Sequence, residues 1–153
     1  MNFRLNATSP QILYGISDYQ EAMNKDNNKY FALSKLGNLL IADQLNDAKI
    51  KNDKLNYFQE EDITFLPTYK FDQYSGQYLD NSDNAPAWTD RILWSKSSLN
   101  ETTNNFYTSI SQIKLGNTKL HPEHNPVIGS WDMEVKTINR ERSKKLMYNI
   151  ENG

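Results

Sequence analysis

Apolar and polar residues alternate most clearly over residues 127–136, and a period of two predicts a β-strand with one buried face. Shorter apolar runs predict strands at residues 11–15, 91–95 and 106–115. These segments are separated by polar stretches, so we expect several short strands connected by loops.

A different period begins at Lys29, where apolar residues recur every three or four positions up to Leu40 and predict an amphipathic helix. Residues 17–28 and 72–85 are polar, without apolar periodicity, and are predicted to be loops. The last segment, residues 137–153, is a basic tail with a weak helical stripe. Strands, loops and few helices together predict the α+β class.

Composition limits the class of protein. With 153 residues the chain forms one domain at most, and its net charge of −2 argues against a uniformly basic nucleic-acid surface. No apolar run approaches the roughly 20 residues of a membrane span. The chain holds no cysteine, which excludes disulfides and favours a cytoplasmic location.

The densest group of unusual residues is Pro-Ala-Trp-Thr-Asp-Arg-Ile-Leu-Trp at 86–94. Asp90 and Arg91 are adjacent charges at the start of a predicted buried strand, where each needs a partner. Two interpretations are open at this point. The charges belong either to a structural ion pair or to a functional site with a perturbed electrostatic environment.

Two further runs flank this group: Phe-Leu-Pro-Thr-Tyr-Lys at 65–70 and Pro-Glu-His-Asn-Pro-Val at 122–127. In this order the three runs resemble the inositol polyphosphate (phosphoinositide) 5-phosphatases, the family that includes synaptojanin. The likeness extends from about residue 11 to about residue 135 and corresponds to the C-terminal half of the family's catalytic domain.

The resemblance implies a partial four-layer α/β sandwich of the endonuclease/exonuclease/phosphatase superfamily. The chain would supply mainly one mixed or antiparallel sheet with few helices. Residues 1–136 would form the partial phosphatase-like domain, and residues 137–153 the basic tail.

For the site, the resemblance implies that Asp90 orients His124 as the catalytic pair, much as a carboxylate orients histidine in a hydrolase triad. It also implies that Tyr69, Lys70 and Arg91 contact substrate phosphates. Taken alone, His124 is more typical of a structural or exposed histidine than of a functional one. Lys70 is equally typical of a phosphate-binding lysine and of an ordinary surface lysine.

Other positions depart from the family pattern. Counting back from the Asp-Gln-Leu run at 43–45 places the family's Gly-Asp-Leu-Asn-Tyr-Arg motif at 15–20, where Ile16, Asp18 and Gln20 replace its Asp, Asn and Arg. Glu123 replaces the Asp of a Ser-Asp-His motif. The resemblance implies Mg²⁺ as cofactor, but the family's metal-binding Glu lies in the N-terminal half, so no metal ligand is predicted in this chain.

Two functions follow as hypotheses. The first is a truncated, catalytically impaired phosphoinositide 5-phosphatase, whose family reaction is Mg²⁺-dependent removal of the 5-phosphate from phosphatidylinositol 4,5-bisphosphate or soluble inositol polyphosphates. The second is a non-catalytic module that binds phosphoinositides or proteins. The expected partner is an inositol headgroup, and no nucleic acid is expected.

Two surfaces predict further contacts. The basic tail predicts peripheral membrane contact. An apolar stripe is expected to lack packing partners and to cause self-association or to need a partner chain. Its members are Val127, Trp131, Met133 and Val135.

Overall fold

The structure, a computed structural model, describes residues 3–26, 29–95, 102–111, 119–133 and 139–151. Within these ranges the helices are α1 (Ser9–Asp26), α2 (Lys29–Leu40), α3 (Gln44–Lys51) and α4 (Arg140–Glu151). The strands are β1 (Phe58–Gln59), β2 (Trp94–Ser95), β3 (Thr102–Ser109) and β4 (Val127–Met133). The predicted α+β class is confirmed. The described strands form two separate antiparallel pairs, β1–β2 and β3–β4, and not mainly one sheet as the resemblance implied.

The first helix corrects two predictions, because α1 covers the strand expected at 11–15 and residues 17–26 of the loop expected at 17–28. Residues 27 and 28 lie outside the described residues. Ile12 and Ile16 are buried, and their spacing of four residues is the helical period that a short apolar run conceals. At the start of α1, Gln11 accepts hydrogen bonds from the backbone N–H and the hydroxyl of Thr8, which closes the first turn.

The predicted helix from Lys29 is confirmed as α2, and it packs against α1. The two helices approach closely at Gly15, where an added Cβ would lie 2.8 Å from a methyl carbon of Leu39. Gly15 is thus explained by helix packing, without any role in a loop motif.

The charged stretch after α2 forms α3, a helix that the sequence analysis did not predict. Asp43 caps it, because its carboxylate accepts a hydrogen bond of 2.9 Å from the backbone N–H of Asn46. Leu5 forms a β-bridge with Asp43, so the N-terminal segment is attached to the start of α3.

The strand predicted at 91–95 is wrong in extent, since only Trp94–Ser95 forms a strand and pairs with Phe58–Gln59. The other two predicted strands form the β3–β4 pair, with Ser109 opposite Val127. Residues 112–115 and 134–136 of the predicted strands lie outside the described residues. The predicted loop at 72–85 contains only turns, an isolated bridge and a short 3-10 helix, Ser82–Asn84.

The side chains of two members of the predicted apolar stripe are described, and both have packing partners, contrary to the prediction for the stripe. Val127 and Trp131 face inward and pack against the core. The Trp131 ring lies 6.1 Å from the Tyr107 ring and 5.3 Å from the Trp94 ring. Val135 and the side chain of Met133 lie outside what the structure describes.

Helices and strand segments share one core, in which Trp88 is fully buried and its indole N–H donates to the Phe65 carbonyl at 2.9 Å. This contact joins the first and second runs of the sequence. The other buried members of the core are Leu5, Ile12, Ile16, Leu36, Leu39, Ile63, Ala87 and Tyr107.

The basic tail contains α4, whose described side chains are all exposed. Among the described residues, none of the helices is both long enough and apolar enough to cross a membrane.

Candidate functional site

The three sequence runs lie side by side. The second run is joined to the first because the Ala87 N–H donates to the Tyr69 carbonyl at 2.8 Å. The third run lies on the other side of the first, where the Asn125 N–H donates to the Thr68 carbonyl at 2.8 Å. The first run is therefore the central segment, and its backbone fixes the distance between the other two.

This arrangement brings Asp90 and His124 together, as predicted. Nδ1 of His124 lies 2.9 Å from Oδ2 of Asp90, within hydrogen-bond distance. The same oxygen accepts hydrogen bonds from the hydroxyls of Thr68, at 2.8 Å, and Thr89, at 3.0 Å. Three donors therefore converge on one carboxylate oxygen and fix the orientation of the histidine ring.

Tyr69 lies next to this pair. Its ring centroid is 4.5 Å from that of His124, and its hydroxyl donates to the side-chain oxygen of Asn84 at 3.2 Å. Lys70 Nζ lies 5.9 Å from the same tyrosine ring and 3.3 Å from a carboxylate oxygen of Glu123. The predicted residues Tyr69, Lys70, Asp90 and His124 thus belong to one neighbourhood.

Arg4 belongs to the same neighbourhood, although the sequence analysis missed it. Its guanidinium carbon lies 4.5 Å from the centre of the Tyr69 ring, on the side chain that also contacts His124. Its Nη1 is buried and, within the described part of the chain, has no hydrogen-bond partner. An unpaired buried donor is costly and calls for an explanation such as a bound anion.

A sequence signal for Arg4 existed. Asn-Phe-Arg at 2–4 differs from the Asn-Tyr-Arg end of the family motif by one aromatic substitution. Counting a fixed number of residues back from Asp43 led instead to residues 15–20.

Residues 15–20 lie within α1, so the loop expected there is wrong. Ile16 belongs to the core, and Asp18 forms an ion pair with Lys35 of α2 at 3.0 Å. Gln20 and Ile16 line a cleft of about 820 Å³ on one side of α1. None of the residues Tyr69, Lys70, Asp90 and His124 lines it, so Ile16 does not share a cleft with them.

Arg91 requires a second correction, because its side chain points away from Asp90. Nη1 lies 3.1 Å from both carboxylate oxygens of Asp43, and Nη2 lies 2.6 Å from Glu60, which also accepts from Nε. Only 5% of the Arg91 side chain is exposed. The guanidinium is thus held inside the protein by two carboxylates and is not available for the predicted phosphate contact.

The electrostatics of this buried cluster are consistent with a structural role. Burial acts to lower the pKa of Arg91, but the hydrogen bonds and charges of Glu60 and Asp43 outweigh burial and raise it. Tyr107 adds a further hydrogen bond, donated to Glu60 at 2.9 Å. Of the two interpretations left open for this charged segment, the structural ion pair describes Arg91.

A divalent cation needs several oxygen or nitrogen ligands that converge on one point. Among the described residues, no group of three or more His, Asp, Glu or Cys side chains is arranged to hold a metal ion. The side chains of Asp43 and Glu60, which are 1% and 4% exposed, are already held by Arg91. The part of the chain that the structure describes therefore does not fit the Mg²⁺ that the resemblance implies.

The geometry supports two chemical properties. Arg4, Lys70 and His124 surround Tyr69 and provide donors for an anion. The side chain of His124 is 48% exposed and that of Asp90 34%, so solvent or a ligand can reach the oriented imidazole. An imidazole that a carboxylate orients in this way can accept or donate a proton.

Comparison with known proteins identifies the family. Residues 1–130 match the family model described as Endonuclease/Exonuclease/phosphatase family 2. The chain is 34% identical over 149 residues to inositol polyphosphate 5-phosphatase K of Mus musculus, covering 90% of this chain and 29% of the mouse protein. It is 33% identical over 123 residues to inositol-1,4,5-trisphosphate 5-phosphatase 1 of Schizosaccharomyces pombe, covering 79% of this chain and 10% of the yeast protein.

Solved structures agree. The inositol polyphosphate 5-phosphatase domain of a synaptojanin, in complex with inositol (1,4)-bisphosphate and a calcium ion, matches with a TM-score of 0.71 and 26% identity, over 99% of this chain and 38% of that one. A nitrophorin from Cimex, solved as a ferrous NO complex, matches with a TM-score of 0.61 and 25% identity, over 88% of this chain and 39% of that one.

The chain spans less than a third of the length of the curated relatives that it matches. Its own sequence nevertheless matches the family model over most of its residues. The chain therefore belongs to the endonuclease/exonuclease/phosphatase family 2, and its homologues include the inositol polyphosphate 5-phosphatases and synaptojanin.

Proposed function

We propose that this chain binds the phosphorylated headgroup of an inositol phosphate or phosphoinositide beside Tyr69. The observation that carries this proposal is the grouping of two cations, Arg4 and Lys70, around the Tyr69 ring, which contacts His124. The synaptojanin domain that the chain matches was solved with an inositol bisphosphate.

The two cations suit phosphate in different ways. Lys70 presents a compact point charge, whereas the planar guanidinium of Arg4 presents several donors in a fixed geometry. Arg4 is partly exposed, and its guanidinium would pair with a phosphate bound beside the Tyr69 ring. Glu123 lies 3.3 Å from Lys70 and offsets part of its charge. Binding would therefore require Lys70 to exchange Glu123 for the ligand.

The family reaction, hydrolysis of the 5-phosphate, needs a divalent cation that polarises the phosphoryl group and activates water. We propose that the chain is catalytically impaired in this reaction. The described residues provide the oriented His124 and the cations, but no set of ligands for the metal. We therefore expect the chain to bind the headgroup without hydrolysing its 5-phosphate rapidly.

Isothermal titration calorimetry with inositol 1,4-bisphosphate, with and without Mg²⁺, tests the headgroup site. We expect binding that does not depend on Mg²⁺ and that Lys70→Gln weakens about tenfold, the loss of one charge-assisted contact. Lys51→Gln is the matched control, because Lys51 also pairs with a carboxylate, that of Asp47, but lies on α3.

Phosphate release from inositol 1,4,5-trisphosphate, which carries a 5-phosphate, tests the proposed impairment with and without Mg²⁺. No heat of binding in either condition would contradict the headgroup site. Rapid Mg²⁺-dependent phosphate release that His124→Ala abolishes would contradict the proposed impairment. His121→Ala serves as the control, since His121 lines the separate cleft beside α1.

A second candidate function, a protein-interaction module, is favoured by the outer face of the β3–β4 pair. Phe106, Ile110 and Ile128 are 48%, 39% and 39% exposed, and the register of the pair places Phe106 and Ile128 on the same face. Light scattering of the wild type and of Phe106→Ser, which measures the molar mass in solution, distinguishes the protein-interaction function from the headgroup-binding function. A dimer that the substitution dissociates, in a protein without headgroup binding, would favour this second function.

A further inference from the structure

The C-terminal helix α4 differs from the rest of the chain in charge. It holds four basic and two acidic side chains, whereas the whole chain holds 17 basic and 19 acidic ones. The helix has a defined start, because the side chain of Asn139 accepts a hydrogen bond of 3.0 Å from the backbone N–H of Arg142. This basic element is therefore an ordered helix.

Its side chains are sorted around the helix axis. Met147 and Ile150 are three residues apart and share one side, where they are 62% and 80% exposed. Arg140 and Lys144 are four residues apart and lie along one edge of this apolar side of the helix. Arg142 lies beyond its opposite edge. Lys144 contacts Glu141 only at 4.0 Å and is 79% exposed, so its charge is available.

We propose that α4 lies flat on an anionic lipid bilayer, with Met147 and Ile150 inserted among the acyl chains and the flanking basic side chains at the lipid phosphates. Its 12 residues span about 18 Å, which is too short to cross a bilayer but sufficient to lie in the interface. The combination of exposed apolar side chains with basic flanks fits a negatively charged lipid surface better than a neutral partner.

This inference is independent of the headgroup site, because it requires only phosphatidylserine, which carries no phosphorylated inositol. The test is sedimentation of the full chain with vesicles of phosphatidylcholine alone or of phosphatidylcholine with roughly a quarter phosphatidylserine. We expect binding to the anionic vesicles only, reduced by added salt.

The apolar contribution is tested with Ile150→Gln, which should weaken vesicle binding about tenfold or more through the loss of one inserted side chain. Ile50→Gln is the matched control, since Ile50 on α3 is 85% exposed and undergoes the same substitution. The control should bind vesicles like the wild type.

The charge contribution is tested with the double variant Arg140→Gln and Lys144→Gln, for which we expect a loss of roughly 25-fold, about fivefold for each basic residue. The control is Lys51→Gln with Lys54→Gln, two exposed lysines of the α3 region.

Equal pelleting of wild type and both α4 variants would overturn the proposal. So would equal binding to neutral and anionic vesicles. A wild-type dimer that Ile150→Gln dissociates, without any vesicle binding, would assign α4 to self-association instead. Both α4 variants should bind inositol 1,4-bisphosphate like the wild type, which keeps this result separate from the headgroup site.

Discussion

Asp90 and Arg91 are neighbours in sequence, but their side chains lie in two different environments. Arg91 is 5% exposed and held by Asp43 and Glu60, themselves 1% and 4% exposed. Asp90 is 34% exposed and orients His124, which is 48% exposed. One dipeptide thus contributes to a buried ion cluster and to an accessible site.

The comparison shows that burial decides what each charge can do. Charges in the buried cluster cannot exchange partners without leaving an uncompensated ion in a medium of low polarity. At the site, water screens the Asp90–His124 pair, and a ligand can replace that water at lower cost. The cluster therefore contributes to folding, whereas the exposed pair is available for function.

The largest effect is expected at the cluster. Arg91→Met should destabilise the protein by about 3–5 kcal/mol, because Asp43 and Glu60 would remain buried without their cation. Urea unfolding measures the change. The control is Lys35→Met, whose ion pair with Asp18 is partly exposed and should cost less than about 1 kcal/mol. Equal losses in both variants would contradict the distinction between buried and accessible charges.

The next largest effect on stability is expected at alkaline pH, where Tyr107 ionises. Burial, followed by the negative charge of Glu60, raises the pKa of Tyr107. Its contribution to stability is therefore complete below the unfolded pKa of about 10 and is lost as the pH rises above that value, by up to about 1.4 kcal/mol per pH unit.

Tyr107→Phe should accordingly make the loss of stability between about pH 10 and pH 11 shallower, measured by urea unfolding at each pH. Tyr57→Phe is the control, because Tyr57 is 66% exposed. If Tyr107→Phe lost stability with pH as steeply as the wild type, ionisation of Tyr107 would not be the cause of the decline.

The smallest effect on stability is expected at the exposed pair. Asp90→Asn should cost about 1 kcal/mol or less, since solvent reaches the side chain and two threonine hydroxyls keep an oxygen acceptor. The equivalent change in the cluster, Asp43→Asn, should cost about 3 kcal/mol. The urea unfolding midpoints of the two variants measure which substitution destabilises the protein more. A larger loss at Asp90 would reverse the assignment of the two regions.

The sequence predicted one contact of the candidate site, but it did not predict all of the helices around that site. The runs at 65–70, 86–94 and 122–127 contain enough specific residues to predict that Asp90 meets His124, and this contact is confirmed. Helix α1 was missed because its first apolar residues, 12–14, are consecutive, so the helical spacing of its buried residues is not apparent in the sequence. The packing of α1 against α2 is a tertiary contact, which local sequence does not reveal.

The partners of Arg91 could not be predicted from local pattern. Glu60 and Asp43 lie 31 and 48 residues away in sequence, and only tertiary packing brings them to the guanidinium. Arg4 was missed for another reason. Its motif lies at the start of the chain, and counting residues from Asp43 placed that motif inside α1 instead.

The central claim, that His124 and its neighbours form the headgroup site, is tested most directly by NMR of the histidine rings. The chain has two histidines, so His124→Ala assigns both sets of ring signals. During titration with inositol 1,4-bisphosphate, we expect the His124 ring signals to shift and saturate while those of His121 stay in place. Unchanged His124 signals at saturating ligand, or a saturable shift confined to His121, would contradict the account.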